Sequence, residues 1–391
     1  MKKVFSKKNV FIITSCVIVI LILAIIFTAI SIKKSKTCRV AFYGIEEETV
    51  KIITDEIKAI KDKNISFTVL DNSSPLPFNV SSSYSILFSY NGKALKNISK
   101  KTKNIFTSNR NLFPKQIASY CTTDENIFMT PILLDHVELD IYKVITNEKK
   151  LSLPESYEEY KEYLYTIKDE TPYPLFTNGG NDKALLDFVS VMASSVLTAD
   201  EYDALIKELS ESFEKTKKLP ASLTKVLDEI KSLQSTQLIH KHWYQASLKD
   251  VSNFMEWKQL GSTVMRLSEH RKKPLMQIKY YDSILFPGNS SQNFNRKVIC
   301  PTICAVAFND KNSEKEIINA LIKENVQDIL SLETGLAPST LRAPAADRQA
   351  DDGRFWAASS KGGIKSSLDE EAFSKPSVQK ELAKAIRNYL L

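Results

Sequence analysis

CRVAFYGIEEETVKIITDEIKAIKDKNISFTVLDNSSPLPFNVSSSYSILFSY, residues 38–90, is the stretch whose reading decides the fold. Its first six residues form a short apolar run that ends at Gly44, which marks a strand. From 46 to 61 the apolar positions Val50, Ile53, Ile57 and Ile60 recur at helical spacing. Residues 65–70 (ISFTVL) read as a second strand. A polar loop with Pro75 and Pro77 follows, and 84–90 (YSILFSY) reads as a third strand, apolar at its centre as for a strand covered on both faces. Strand, helix, strand, strand in this order predicts an α/β lobe with a largely parallel sheet.

Working outward toward the N-terminus, residues 10–32 (VFIITSCVIVILILAIIFTAISI) carry no charge. At about 1.5 Å per residue this run crosses a hydrocarbon core of roughly 30 Å. It is longer than a signal-peptide core, and Lys33, Lys34 and Lys36 follow in place of a small-residue cleavage site. The reading is an uncleaved signal anchor over 1–38, a single transmembrane helix with the body on the extracytoplasmic, periplasmic side of the cell membrane. Lipidation at Cys16, in a loose Ile13-Thr14-Ser15-Cys16 lipobox, is the alternative. Lysines flank both ends of the segment, so the positive-inside rule gives the orientation only a slight bias.

The charge agrees. The chain has 53 basic and 46 acidic residues, and seven lysines with no acid fall within 1–38. The remaining body is therefore neutral, which argues against a nucleic-acid partner. With only 10 glycines, no GxxxxGK[ST] and no GxGxxG, nucleotide-binding loops are not evident, and no nucleophile signature such as GxSxG occurs. With no catalytic signature in view, the expectation is a protein that is not an enzyme, with no cofactor and no metal. Cys300 and Cys304 fall in a β-branched run where four strand residues span about 13 Å, too far for a disulfide. His240 and His242 form an HxH pair without further ligands nearby in sequence.

Toward the C-terminus, 125–134 and 139–147 read as strands. Leu153-Pro-Glu-Ser-Tyr157 opens a helix with Ser156 as N-cap, and 185–232 is mostly helical. Residues 263–267 and 275–281 read as a strand pair, 298–308 as one strong strand, 313–332 as one helix and 373–390 as the last helix.

The segment 131–194 resembles the extracytoplasmic solute-binding proteins of ABC importers, in their sugar-binding, maltose-binding-protein-like branch. Pro131-Ile-Leu-Leu-Asp135 looks like the hinge strand of that family. Tyr142 to Asn147, then Leu153-Pro-Glu-Ser-Tyr-Glu-Glu159, Pro174-Leu-Phe176 and Asn178-Gly-Gly180 resemble the motifs that follow it. Further on, 254–265 (FMEWKQLGSTVM), Phe286-Pro-Gly288, Ala305-Val-Ala-Phe308 and Gly335-Leu-Ala-Pro338 agree in order. The resemblance implies a two-lobed, type II periplasmic-binding-protein-like α/β fold, each lobe a sheet flanked by helices. It assigns 39–132 and 296–338 to the first lobe, and 133–295 with the C-terminal helices of 339–391 to the second.

The function so implied is capture of a small solute, carbohydrate above all, between lobes that close on a hinge, with delivery to membrane permease subunits. A ligand sensor or interaction module with the same fold is the alternative. Aromatic residues near strand ends are candidate ligand contacts: Tyr43, Tyr90, Trp243, Tyr280 and Trp356. The resemblance adds Asp135 as an acidic hinge residue and Asn181 as a second polar contact. Where the family often carries a tryptophan, this chain has 266–273 (RLSEHRKK), placing Arg271 nearest that position. An arginine there suits an anionic or bidentate hydrogen-bonding group better than a stacked sugar ring.

Overall fold

A computed structural model describes residues 37–61, 64–102, 107–124, 126–289, 295–309 and 312–391. The expected membrane segment 10–32 and Cys16 lie outside the described residues. Among the described residues no helix is long and apolar enough to cross a membrane. The strands are, in chain order, β1 (Cys38–Tyr43), β2 (Ile65–Leu70), β3 (Ile86–Tyr90), β4 (Thr130–Leu134), β5 (Val137–Tyr142), β6 (Tyr173–Leu175), β7 (Leu260–Arg266), β8 (Tyr281–Leu285), β9 (Val298–Ile299), β10 (Thr302–Ala307), β11 (Ala337–Pro338) and β12 (Ile364–Lys365).

They form two main sheets, and each has its own core. The first runs β11-β4-β10-β3-β1-β2. β1 pairs in parallel with both β2 and β3, and β10 lies antiparallel between β3 and β4. β3 is buried along its whole length, as its apolar sequence demands, whereas β2, at the edge, shows one face to solvent. Helix Glu47–Ile60 lays Val50, Ile53 and Ile57 onto this core. The second sheet runs β6-β7-β5-β8, with β5 antiparallel to both neighbours. Helix Tyr157–Ile167 covers it through Tyr160, Leu164 and Ile167, and Ser156 caps that helix by accepting from the Glu159 amide at 3.2 Å.

The chain crosses between the two bodies three times: at Asp135–His136, before β9, and after β12. The parallel pair β9–β12 brings the second and third crossings together. Four expected elements differ. The strand expected over 139–147 stops at Tyr142, because its partner β8 begins at Tyr281, and helix Lys143–Glu148 follows. Residues 275–281 do not pair with β7. Pro274 caps a helical turn, Leu275–Ile278, and β8 starts only after it. The run 298–308 divides at Pro301, which has no N–H to give a ladder and instead accepts from the Asp135 amide at 2.8 Å. The helix expected over 313–332 is two, Asn312–Leu321 and Glu324–Thr334.

Residues 339–391 divide as well. Helix Arg348–Ser359 buries Ala350 and Ala357 in the core of the first sheet, whereas Leu368 and helix Pro376–Leu390 pack on the second. The expectation that this whole stretch joins the second lobe therefore fails for its first half: two small residues on one helix face let that helix seat closely on the first.

Candidate functional site: the interlobe cleft

The carboxyl ends of β1, β2 and β3 face one side, the place where open α/β sheets present ligand sites. Tyr43 ends β1 and Gly44 follows it, Asn72 and Ser73 follow β2, Ser89 and Tyr90 end β3, and Gly92 lies just beyond it. Gly44 takes a left-handed φ of 70°, which turns the chain from strand into helix. Opposite them stand Asp182, Lys183 and Leu186 from the first turns of helix Asp182–Val196, together with Asp369, Glu370 and Phe373. These two walls enclose a cavity of about 330 Å³. That lies at the small end of ligand pockets, which run from roughly 300 Å³ upward.

Behind the cavity wall the charges are arranged in layers. Arg266, at the end of β7, is 2% exposed and grips Asp187 with two hydrogen bonds of 2.6 and 2.8 Å. Its second terminal nitrogen also reaches Glu370 at 3.2 Å. Burial works against its charge, but Asp187 and Glu370 outweigh burial and hold the guanidinium ionised. The Tyr90 ring lies 5.3 Å from that guanidinium and 4.6 Å from the Lys183 ammonium. Three polar atoms here are buried and make no hydrogen bond among the described residues: Arg266 Nη1, Asp369 Oδ1 and Glu370 Oε2. Burial, with Glu370 and Asp187 nearby, pushes the Asp369 carboxyl up to about 7.

Of the residues expected at a ligand, Tyr43 and Tyr90 border the cavity. Tyr43 donates to the Ser74 carbonyl at 2.8 Å, and burial, with help from Asp71, pushes its hydroxyl up to about 12. Asp135 is fully buried and accepts from Tyr90 Oη at 2.9 Å, and from the amide and hydroxyl of Ser268 at 2.8 Å each. It is a clasp across the first crossing, set behind the cavity. Asn181 caps helix Asp182–Val196 by accepting from the amides of Lys183 and Ala184.

The other four stand elsewhere. Trp243 is fully buried in the second core against Phe188, at 4.8 Å between ring centroids. Trp356 packs edge-on against His136 at 5.2 Å. Tyr280 lies between Lys258 and Lys279. Arg271 makes a bidentate pair with Asp347 at 2.6 and 2.7 Å and donates to the Gly335 carbonyl, which ties one lobe to the other. Large aromatic area found better burial in the cores, and the arginine found a carboxylate before any ligand.

Sequence reading missed Lys183, Arg266, Glu370 and Phe373. The one local signal was Arg266, the single charge in an otherwise uncharged strand. It also missed a second buried polar cluster below the first crossing. Glu138 and Asp140 alternate with the apolar Val137, Leu139 and Ile141 on β5, so they share one face. His270 Nδ1 lies 2.9 Å from Asp140 and 3.3 Å from Glu138, and ligand atoms of all three fall within 4.8 Å of one another. Gln349, from the helix that packs on the first lobe, bonds both Glu138 and Ser283.

Burial would lower the His270 pKa, yet Asp140 and Glu138 raise it to about 9. A folded pKa above the ordinary histidine value of 6.5 means stability that is full below pH 6.5 and is lost as pH rises through 9. Stability is therefore expected to fall by about 3 kcal/mol across that window, and His270→Gln is expected to flatten the slope. Urea unfolding at a series of pH values checks this.

No family model matches the chain, and no curated protein does. Solved structures do match. The bacterial solute receptor AcbH, described as having an exclusive preference for β-D-galactopyranose, superposes with a TM-score of 0.70 at 13% identity, over 90% of this chain and 98% of that one. A chitin oligosaccharide binding protein gives 0.64 at 10% identity, over 90% and 98%. The solute-binding protein RafE in complex with raffinose gives 0.61 at 13%, over 91% and 100%. The chain therefore has the two-lobed fold of the bacterial sugar-binding solute receptors, along nearly the whole length of each.

Proposed function

We propose that the protein is an extracytoplasmic receptor that captures a carbohydrate in the cleft between its lobes and delivers it to the permease subunits of an ABC importer. The observation that carries this reading is the wall chemistry. Tyr43, Tyr90 and Phe373 offer ring surface, while Asn72, Lys183 and Glu370 offer hydrogen-bonding groups across a cavity of about 330 Å³. The buried oxygens Asp369 Oδ1 and Glu370 Oε2, which make no hydrogen bond within the described chain, suit the hydroxyl donors of a sugar. A buried acceptor left unmet costs about 1–3 kcal/mol, so a ligand hydroxyl that meets it recovers binding energy.

Residues 10–32 would hold the body at the membrane, and closure on the three crossings would retain the sugar. Calorimetric titration against a panel of mono- and oligosaccharides tests the proposal. At least one is expected to bind saturably, and Glu370→Ala is expected to weaken it about tenfold or more. No binding by any member of the panel would remove the carbohydrate assignment.

A further inference from the structure

Two thiols meet inside the first lobe. Cys121 closes helix Lys115–Tyr120, and its backbone is fixed on both sides. Its amide donates to the Ile117 carbonyl at 3.0 Å, and its carbonyl accepts from the Met129 amide at 2.8 Å. Cys304 sits in β10, paired with Ser89 of β3 on one side and Pro131 of β4 on the other. The two sulfurs stand 3.5 Å apart across 183 positions of sequence, and both residues are fully buried. A single buried thiol is a small apolar filler. Two in contact are a different case, because an approach of about 1.5 Å brings the sulfurs to bonding distance.

We infer that Cys121 and Cys304 are a disulfide site, closed as the chain folds by an organic disulfide acting as oxidant. The thiolate of one cysteine attacks a sulfur of the oxidant, breaks its S–S bond and releases one thiol. The thiolate of the other cysteine then attacks the chain's own sulfur in the mixed disulfide and releases the second thiol. The chain's two S–H protons leave with those thiols, so two cysteines are oxidised and one disulfide is reduced.

Burial, and then the Cys121 sulfur beside it, pushes the Cys304 thiol well up, and neither residue faces solvent in the folded chain. Reactive thiolate is therefore available during folding and not after it. An extracytoplasmic compartment supplies such an oxidant, so for that supply the inference rests on the location proposed above. The bond fixes helix Lys115–Tyr120 to β10. Tyr120, next to Cys121, donates from Oη to Glu371 at 2.6 Å and accepts from the Ser366 amide at 2.9 Å, just after β12. The disulfide thus steadies a strut from the first lobe to the third crossing.

The test uses the full-length chain in detergent. It is harvested into maleimide, denatured, labelled again and mapped by mass spectrometry. Cys121 and Cys304 are expected to carry no maleimide and to appear as one cross-linked peptide pair. A second sample is reduced, unfolded in urea and refolded in a glutathione redox buffer, where the same pair is expected to close. Closure on refolding but not in the harvested chain would keep the site and count against the extracytoplasmic location. Failure to close in both samples, or closure through Cys38 or Cys300 in place of this pair, overturns the inference. Reduction by a phosphine is expected to lower the thermal midpoint of the parent by about 3–5 °C and to leave that of Cys121→Ala/Cys304→Ala unmoved. The double variant carries the packing loss without the bond, so equal responses of the two proteins would also overturn it.

Discussion

Replacing Arg266 by alanine is expected to cost about 3–5 kcal/mol of folding stability, the largest effect of any single polar substitution considered for this protein. The guanidinium is 2% exposed and is the direct partner of Asp187, which is 4% exposed, and of Glu370. Without it, two carboxylates remain side by side, one of them fully inside the protein, with no counter-charge. Lysine is not a substitute. Its single ammonium cannot make the two bonds of 2.6 and 2.8 Å to Asp187 and reach Glu370 as well, so Arg266→Lys is expected to recover less than half of the loss. Arg266→Met/Asp187→Leu is expected to fall well short of the single-variant loss, because it removes the buried pair together. Urea unfolding of the three variants measures this, and a double variant as damaged as Arg266→Ala would refute the charge argument.

Asp135→Ala is expected to cost about 3 kcal/mol by a different route. Its carboxylate accepts from Tyr90 Oη, from Ser268 Oγ and from the Ser268 amide, and all these groups are buried. Alanine leaves three donors without an acceptor at a cost of about 1–3 kcal/mol each, partly relieved by local relaxation. The clasp joins the end of β3 in the first lobe to the segment after β7 in the second. Its loss should therefore loosen the crossing as well as the fold. Faster amide exchange at residues 134–137 and 267–269 is expected, along with a lower urea midpoint. Asp135→Asn keeps one acceptor oxygen and is expected to lose about half as much.

Much of the fold was legible from periodicity. Val50, Ile53 and Ile57 recur at helical spacing and do lie buried on one helix face. The apolar centre of 84–90 does belong to a strand covered on both sides. Ser156 does cap its helix. These signals are local, so a linear pattern carries them. The site was less legible because its partners are distant in sequence. Arg266 meets Asp187 across 79 positions and Glu370 across 104. No spacing rule links such residues. Trp243 and Arg271 misled for a related reason: a tryptophan or an arginine near a strand or turn has several sinks for its area or charge. The folded chain supplied Phe188 to one and Asp347 to the other. Glu138 and Asp140 were visible as a polar alternation on β5, but only the tertiary fold brings His270 to both of them and Gln349 to Glu138.

In the proposed function one carbohydrate is held by both lobes at once. Amide hydrogen exchange, with and without a saturating saccharide identified by calorimetry, tests it most directly. Protection is expected to rise together at 43–46 and 89–92 in one lobe and at 182–187 and 369–374 in the other. Protection confined to one lobe, or centred away from these segments, would contradict it.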